Sequence, residues 1–578
     1  MITALVIGED TRSFLSVIRS LGNMGMLVDV VCFDNTSPAL RSKFINKAHY
    51  YNYQNSTETQ WIDSVKALIK LKGYDLVFPC DERAIYPLIR CKDDFDNKTR
   101  LALPNKEVRE SLFDKHLTKK IANKRGIRVA KGDMHSLENI NYDALAQRYT
   151  TKFVIKPTES FCENNLSSRN KVAIIENAEE FATYLEKSEV VGNDFLVEEY
   201  FEGVGEGISL FACKGEVQYM LAHSRVNEPR SGGGSSYRKA IPVEASMANA
   251  CKAICEETIY DGVGMFEFKR NHKTNEWILV EVNARFWGSL PLAIHAGIDF
   301  PKHYAKYLLG DFRPLPSPCI QYNEGTLARS FSNDMYDIRA EMQHISLTHG
   351  KLKSIIETIK RLSSYIRVLG DEKIDSYERD DPQPFYEEFK QLFDSTILKK
   401  AANKLPIKHN PEKLREILRL MYLLEGKGRI IFVCYGNIMR SPLAAEFANI
   451  FIQNTKLNFS VDSFGFHTNE SRPSPGGCQQ VAASLGIDLS EHKSKRLLQS
   501  HLKDDDIVFI FDEHNEEKLN RFYEVENVFN LADFIPPGLG KYRAIDDPYG
   551  HGDEAVRRCY VLIIEALKTI FESYLSLK

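Results

Sequence analysis

The sequence has few of the features that mark membrane-spanning, nucleic-acid-binding or disulfide-stapled proteins. No apolar run approaches the roughly 20 residues that a membrane-spanning helix needs. Its 75 basic and 79 acidic residues form no basic patch, so nucleic acid is not an expected partner. The 11 cysteines are scattered rather than spaced as a disulfide framework. This favours reduced thiols and a cytoplasmic location.

The length predicts several domains rather than one core. A chain of 578 residues exceeds what a single hydrophobic core supports, and its 43% hydrophobic content is ordinary for a globular protein. The first eight residues lack a basic lead-in and a cleavage site, so we expect a first strand there rather than a signal peptide. Residues 1–105 alternate apolar, β-branched runs with helical stretches, which predicts a small doubly wound, Rossmann-like domain.

The most informative stretch is residues 430–442. An apolar run predicts a strand that ends at Cys434, and a short loop leads from it into a helical pattern. Because backbone N–H groups and a helix N-terminus point into such a loop, it should bind an anion and favour the thiolate of Cys434. Arg440 offers a planar fork to phosphate oxygens. Gly436 and Asn437 tolerate the left-handed backbone that a tight loop needs.

The Cys-x-Gly-Asn-x-x-Arg-Ser pattern of this loop resembles the phosphate loop of the low-molecular-weight protein tyrosine phosphatases, and a downstream Asp-Pro-Tyr sequence resembles their Asp-Pro loop. The resemblance covers residues 429–578 and implies a flavodoxin-like domain with a parallel four-stranded sheet. It implies that Cys434 attacks phosphorus and that Asp547 is the general acid. Tyr549 would then line the pocket against an aromatic substrate.

Further positions fit the same resemblance. Ser441 matches the hydroxyl that stabilises the thiolate, and Ser463 and His492 match residues that hydrogen-bond the loop asparagine. Met439 stands where the family usually has a second cysteine, so Cys434 should over-oxidise more readily.

The loop also bears on the substrate. Ile438 stands where arginine phosphatases of this fold carry threonine, so the resemblance favours phosphotyrosine over phosphoarginine. Bacterial members often act on tyrosine kinases that control surface polysaccharide export. This implies a phosphotyrosine protein as partner, such as a bacterial tyrosine kinase, and a link to exopolysaccharide assembly. A small phosphorylated metabolite is the alternative substrate.

A second set of polar residues lies at the ends of, or inside, apolar runs of the preceding region. Lys115 opens a helical stretch, and Lys156 ends a strand. The Glu-Val-Asn-Ala-Arg sequence at 281–285 alternates three polar side chains with small apolar ones in a strand that otherwise looks buried. Because burying these groups unpaired would be costly, a metal or a ligand is the better account.

This order of motifs resembles the ATP-grasp superfamily over about residues 1–330, above all its carboxylate–amine ligases and carbamoyl-phosphate-synthase-like members. The resemblance implies a pre-ATP-grasp domain, an ATP-grasp α+β domain, and a helical connector or ligase extension, at residues 1–105, 106–310 and 311–428. Lys115 and Lys156 would bind the ATP phosphates, and Arg285 would hold the transferred phosphoryl group. The implied oxygen ligands for Mg²⁺, or for Mn²⁺ in its place, are Glu267, Glu281 and Asn283.

Adenosine contacts are implied for the strand that ends near residue 201, whose edge would present backbone groups to adenine, and for the segment after it. They fall on Glu198, Glu199, Phe201 and Glu206. A glycine-rich run at 231–236 predicts either a plain flexible loop or a loop that closes over an acyl phosphate.

Together the motifs predict a two-enzyme fusion. A Mg-ATP-dependent ligase would join a carboxylate to an amine, or to a related nucleophile, through an acyl phosphate. A cysteine-dependent phosphomonoesterase would follow it. The alternative is a regulatory protein whose ATP-grasp region senses ATP without ligating.

Overall fold

The computed structural model describes most of the chain, namely residues 1–95, 98–136, 141–158, 161–162, 165–169, 172–187, 194–228, 234–394, 411–536, 538–539 and 544–578. Packing divides the chain into two units, residues 1–51 with 62–391 and residues 52–61 with 392–578. The α/β multidomain class is confirmed, whereas the four domain ranges stay a prediction. Among the described residues, none of the helices combines the length and apolarity that crossing a bilayer requires.

The N-terminal sheet is parallel and, in the described part of the chain, consists of five strands: β1 (Thr3–Gly8), β2 (Leu27–Cys32), β3 (Ile45–Tyr50), β4 (Leu76–Pro79) and β5 (Arg100–Leu101). Their order is β3-β2-β1-β4-β5. Three helices lie between these strands along the chain: α1 (Ser13–Asn23), α2 (Glu58–Lys72) and α3 (Glu82–Arg90). The strand order reverses beside β1, so the carboxyl ends of β1 and β4 form the edge where doubly wound sheets bind ligands.

A smaller antiparallel sheet follows. Among the described residues its order is β10-β7-β11-β6, and the remaining two strands of this segment pair with each other. The strands are β6 (Gly132–Ser136), β7 (Phe153–Pro157), β8 (Phe161–Cys162), β9 (Asn165–Arg169), β10 (Ala173–Ile175) and β11 (Asp194–Glu199). The helices of this segment are α4 (Lys106–Leu112), α5 (Lys115–Lys124), α6 (Tyr142–Tyr149) and α7 (Ala178–Lys187).

The largest sheet has, within the described residues, the strand order β16-β15-β12-β13-β14-β17-β18. Its strands are β12 (Val204–Cys213), β13 (Glu216–Asn227), β14 (Tyr237–Ile241), β15 (Gly262–Asn271), β16 (Glu276–Asn283), β17 (Leu327–Arg329) and β18 (Glu372–Ile374). Three helices accompany it, α8 (Ala245–Glu257), α9 (Leu290–Ala296) and α10 (Phe300–Leu309). Because β17 and β18 come from the predicted connector, this segment contributes two strands to the largest sheet.

Buried ion pairs hold the connector together and join it to β14. Arg329 is fully buried and lies 2.6 Å from both Glu372 and Asp334. Arg238 on β14 lies 2.6 Å from Asp375, just beyond β18. Since the charges are desolvated, loss of one partner would leave an uncompensated buried charge. The connector helices are α11 (Phe331–His349), α12 (Lys351–Ser363), α13 (Gln383–Phe393) and α14 (Pro411–Leu424).

The second unit contains the predicted parallel sheet, with the described strands in the order β20-β19-β21-β22. They are β19 (Arg429–Cys434), β20 (Ser460–Gly465), β21 (Asp506–Ile510) and β22 (Val528–Asn530). The helices are α15 (Arg440–Thr455), α16 (Gly476–Ser484), α17 (Glu513–Phe522) and α18 (Gly552–Leu577). The central strand β19 is buried from Ile430 to Cys434 and delivers the cysteine to the carboxyl edge of the sheet.

Candidate functional site

The loop between β19 and α15 wraps around the sulfur of Cys434. The backbone N–H of Asn437 points to Sγ at 3.3 Å, and Ser441 Oγ lies 3.0 Å from Sγ. Cys434 is only 3% exposed. Hydrogen-bond donors directed at a sulfur at a helix N-terminus stabilise its thiolate, which is the nucleophilic form.

Asn437 holds this loop in shape. Its φ of 50° is left-handed, a conformation that costs free energy unless its surroundings fix it. The amide nitrogen donates to Ser441 Oγ and Ser463 Oγ, both at 2.9 Å. The backbone oxygen of Asn437 lies 2.7 Å from His492 Nε2. Burial lowers the pKa of His492, so the neutral ring donates its Nε2–H to this carbonyl.

Arg440 connects two carboxylates beside the loop. Its guanidinium is buried, donates to Asp547 Oδ2 at 2.7 Å, and also pairs with Asp512. The backbone oxygen of Ile545 accepts a further bond at 3.0 Å. The arginine therefore faces the site and positions the predicted acid Asp547, whose side chain is 42% exposed.

Asp512 is a site residue that sequence reasoning missed. It follows β21 closely and caps α17, where it accepts a bond from the Asn515 N–H at 2.7 Å. Its position after a predicted strand could have indicated this role, because the carboxyl ends of neighbouring parallel strands meet at one edge of a sheet. A helix N-cap explains an aspartate there equally well, which concealed the contact with Arg440.

Two aromatic residues near the loop are exposed. Tyr435 and Tyr549 are 41% and 65% exposed. The Tyr549 N–H donates to Asp547 Oδ1 at 3.2 Å, so the same turn that presents the tyrosine orients the acid. The Gly436 carbonyl accepts a bond from Arg472 at 2.7 Å, which holds the loop on its other side.

The first unit has a separate charged cluster around Glu198. Lys119 and Lys156 both contact this buried carboxylate, at 2.5 and 2.6 Å. Burial alone would raise the pKa of Glu198, but the two lysines lower it, so the carboxylate stays ionised. Two cations share one anion, and the surplus positive charge suits polyphosphate. Lys119, one helical turn after Lys115, was not foreseen from the sequence.

The predicted metal ligands lie on adjacent antiparallel strands. Glu267 on β15 pairs directly with Glu281 on β16. Burial raises the pKa of Glu267, and the charge of Glu281 adds to this effect, although Arg225 lies 2.9 Å away. For Glu281, burial would raise the pKa, but Lys115 and Lys156 lower it overall. Asn283 donates to Glu281 at 3.2 Å.

The donor chemistry of these residues fits Mg²⁺. Two facing carboxylates and an amide oxygen are hard ligands, and a divalent cation would offset the mutual repulsion that raises the Glu267 pKa. Among the described residues there is no group of three or more His, Cys, Asp and Glu side chains arranged to hold a metal. Asn283, or a phosphate oxygen of the nucleotide, would therefore have to complete the coordination.

Arg285 lies two residues beyond the end of β16, the strand that carries Glu281 and Asn283. Its Nε is 2.8 Å from Glu82 Oε2 at the start of α3, and its Nη1 donates to the Phe286 carbonyl at 2.8 Å. Glu82 follows β4, so the carboxyl edge of the first sheet supplies a partner that the sequence did not reveal.

The residues predicted to contact adenosine do not form one cluster among the described residues. The strand-edge expectation is wrong for Glu198, because this residue pairs on both sides, with Gly132 of β6 and Val154 of β7. Glu199 pairs with Phe153 of β7 and lies opposite the residue before β6, so its adenosine contact stays a prediction. Phe201 lies just beyond the end of β11, and the Arg128 guanidinium lies 5.7 Å from the centre of its ring. Glu206 lies apart, 3.2 Å from His272, and burial raises its pKa. Of the glycine-rich run, residues 231–233 fall outside the described residues.

Comparisons with known proteins cover both regions. Residues 429–576 match the family described as "Low molecular weight phosphotyrosine protein phosphatase", and residues 192–325 match "ATP-grasp in the biosynthetic pathway with Ter operon". The low molecular weight phosphotyrosine protein phosphatase of Schizosaccharomyces pombe is 28% identical over 154 residues, 25% of this chain and 96% of that protein. A protein-arginine-phosphatase of Geobacillus stearothermophilus is 30% identical over 132 residues, 22% of this chain and 84% of that protein.

A solved structure is also similar to part of this chain. The biotin carboxylase domain of the Hydrogenobacter thermophilus 2-oxoglutarate carboxylase, in complex with MgADP, ADP and bicarbonate, is 16% identical. The match covers 56% of this chain and 73% of that one, with a TM-score of 0.45. The family matches and the loop geometry lead to one assignment: the chain is a fusion of an ATP-grasp region with a C-terminal domain that belongs to the low molecular weight phosphotyrosine protein phosphatase family.

Proposed function

We propose that the C-terminal domain hydrolyses phosphotyrosine through a cysteinyl-phosphate intermediate. The thiolate of Cys434 attacks phosphorus, and Arg440 binds the equatorial phosphate oxygens. Asp547 protonates the leaving phenolate oxygen and then deprotonates the water that hydrolyses the S–P bond. The observation that carries this proposal is the contact of Sγ with the Asn437 N–H and Ser441 Oγ, beside an arginine that holds Asp547.

The two relatives described above are named for different substrates. Ile438 is the residue that favours an aryl phosphate. It is half-buried at the loop and packs against the core of the domain, so its branched side chain is fixed in position. An apolar group of this kind suits a phenol ring better than the charged guanidinium of phosphoarginine.

A substrate comparison tests this proposal. Initial rates should be measured on p-nitrophenyl phosphate, a phosphotyrosine peptide, a phosphoarginine peptide and sugar phosphates. We expect the aryl substrates to be preferred, and we expect Ile438→Thr to shift the ratio toward phosphoarginine. A preference for sugar phosphates would favour the small-metabolite alternative, and a wild-type preference for phosphoarginine would overturn the proposal.

For the first unit, we propose a Mg-ATP-dependent ligase. ATP phosphorylates a carboxylate to an acyl phosphate and leaves as ADP, and an amine then attacks the acyl carbon and displaces phosphate. Lys115 and Lys156 would bind the phosphates, while Glu267, Glu281 and Asn283 would hold the metal ion, which screens the phosphate charge. The cluster of carboxylates and lysines between β7, β15 and β16 supports this assignment. Arg285 would orient the acyl phosphate.

The rival for this unit is an ATP sensor without turnover. ADP release should be followed with Mg-ATP while amino acids and sugar acids are supplied singly and in pairs. Release that requires both a carboxylate and an amine would support the ligase. Tight ATP binding without such release, across a broad screen, would favour the sensor. The phosphoprotein partner and the link to exopolysaccharide stay predictions.

A further inference from the structure

The helix α12 exposes a continuous apolar stripe. Six large apolar side chains, all within the described ranges, recur at helical spacing along one face: Leu352 (74% exposed), Ile355 (53%), Ile356 (54%), Ile359 (62%), Leu362 (44%) and Ile366 (70%). The last of them lies on the 3₁₀ turn Ser364–Leu369 that continues the helix. Scattered exposed leucines are normal on protein surfaces, whereas a contiguous row of this length marks an interaction site.

The rotation of α12 is fixed by its opposite face. Ser354 is buried and donates to the Met342 carbonyl at 2.7 Å. Arg361 pairs with Asp334 and Glu341, at 2.6 and 2.7 Å. Since these contacts hold the polar side inward, the isoleucine and leucine stripe cannot turn into the core without breaking buried ion pairs.

Basic residues flank the stripe. Lys353 and Lys360 are seven residues apart and so share one flank of the helix, and Lys351 lies on the other flank. All three are exposed. The acidic residue of α12, Glu357, is half-buried and lies 3.8 Å from Lys360. An apolar stripe with lysines along its borders is the pattern of a helix that lies in a membrane interface.

We propose that α12 lies against an anionic lipid surface, with its apolar stripe at the boundary between head groups and acyl chains and its lysines on acidic head groups. The charge of the flanking lysines favours an anionic lipid surface as the partner of the stripe. A second copy docked through the same stripe would set its lysines against these lysines, whereas acidic phospholipids supply the opposite charge. This inference is independent of the function proposed for either site.

Vesicle co-sedimentation of the full chain tests the proposal. Vesicles of phosphatidylcholine alone are compared with vesicles of equal parts phosphatidylcholine and phosphatidylglycerol. We expect binding to the anionic vesicles that weakens as salt is raised to about 1 M, where screening acts within about 3 Å. The double variant Ile356→Glu, Ile359→Glu should lower binding by at least about tenfold, because it places charge in the interface.

Two further variants make the test specific. Lys353→Gln with Lys360→Gln should weaken binding to anionic vesicles by about fivefold per lysine, without changing binding to neutral ones. Leu71→Glu, at an 81% exposed leucine of α2, is the matched control and should bind as the wild type does. Circular dichroism should be unchanged for every variant, since each altered side chain is exposed.

Several outcomes would overturn the proposal. The first is no wild-type binding to anionic vesicles, and the second is equal loss of binding in the Leu71→Glu control. The third is a dimer, seen by light scattering, that Ile356→Glu with Ile359→Glu splits while vesicle binding is absent. That result would assign the stripe to a second copy of the chain.

Discussion

The two sites of this chain are built in different ways. The phosphatase site takes its nucleophile, arginine and thiolate-stabilising serine from one strand, loop and helix start, and its two carboxylates come from farther along the chain. The ATP-grasp cluster collects single residues from α5, β7, β15 and β16, and from the start of α3. A local motif fixes geometry through the backbone, whereas a distributed site depends on how well the whole unit is held together.

The largest expected effect is on the local site. Cys434→Ser should lower phosphatase turnover by more than about 10³-fold, because the alcohol is a far weaker nucleophile than the thiolate. Hydrolysis of p-nitrophenyl phosphate measures this effect. Mg-ATP binding, measured by calorimetry, should stay at the wild-type level, and retained hydrolysis would defeat the nucleophile assignment.

The second largest effect on phosphatase turnover should follow the loss of the acid Asp547. Asp547→Asn should lower kcat by about 10² to 10⁴ on a phenyl phosphate, where the leaving oxygen needs a proton. The loss should shrink on p-nitrophenyl phosphate, whose leaving group needs less protonation. Asp512→Asn is the matched control: it also removes a partner of Arg440, but its loss should be similar on both substrates. The opposite pattern would exchange the two roles.

The distributed site should be sensitive to distant packing. Arg329→Met should destabilise the first unit by about 3–5 kcal/mol, because Glu372 and Asp334 lose their buried partner. Arg128→Met, which breaks an exposed pair with Glu276, should cost at most about 1 kcal/mol. Thermal unfolding with and without Mg-ATP measures both. Equal effects of the two variants would show that burial does not matter here.

Acid should also weaken the first unit through His223. This ring is fully buried, and its burial, with help from Arg238 and Arg225, lowers its pKa to about 3. In the unfolded chain His223 binds a proton near pH 6.5, whereas in the folded chain it stays neutral until about pH 3. The free energy of unfolding should therefore fall as the pH drops from about 6.5 toward 3. At pH 5 the loss is about 2 kcal/mol. In His223→Gln the acid slope of the unfolding midpoint should be shallower, and an unchanged slope would exclude this histidine.

The smallest effect concerns the metal groove. Glu281→Ala should weaken Mg-ATP binding by at least about tenfold, because one hard oxygen ligand is lost from the pair with Glu267. Glu276→Ala, at the start of the same strand, is the control and should bind Mg-ATP as the wild type does. Phosphatase turnover should be the same in both variants. Undiminished binding in Glu281→Ala would remove this residue from the metal site.

The sequence predicted the geometry of the phosphate loop and, through the resemblance, distant partners such as Asp547, but it missed partners that carry no motif. The loop from Cys434 to Ser441 could be read directly, because its spacing encodes its backbone shape. Asp512, Lys119 and Glu82 carry no local signature, since an aspartate cap or a lysine on a helix is usually structural. The backbone edge assigned to Glu198 was wrong because strand order in a sheet is a tertiary property.

The contribution of β17 and β18 to the largest sheet has a practical consequence. A fragment that stops at residue 310 would leave β14 as an open edge, ready to pair with strands of other molecules. It would also remove Asp375 and so leave the buried Arg238 guanidinium without this carboxylate partner. Expression of the ligase half alone should therefore extend through residue 391, and shorter fragments should aggregate.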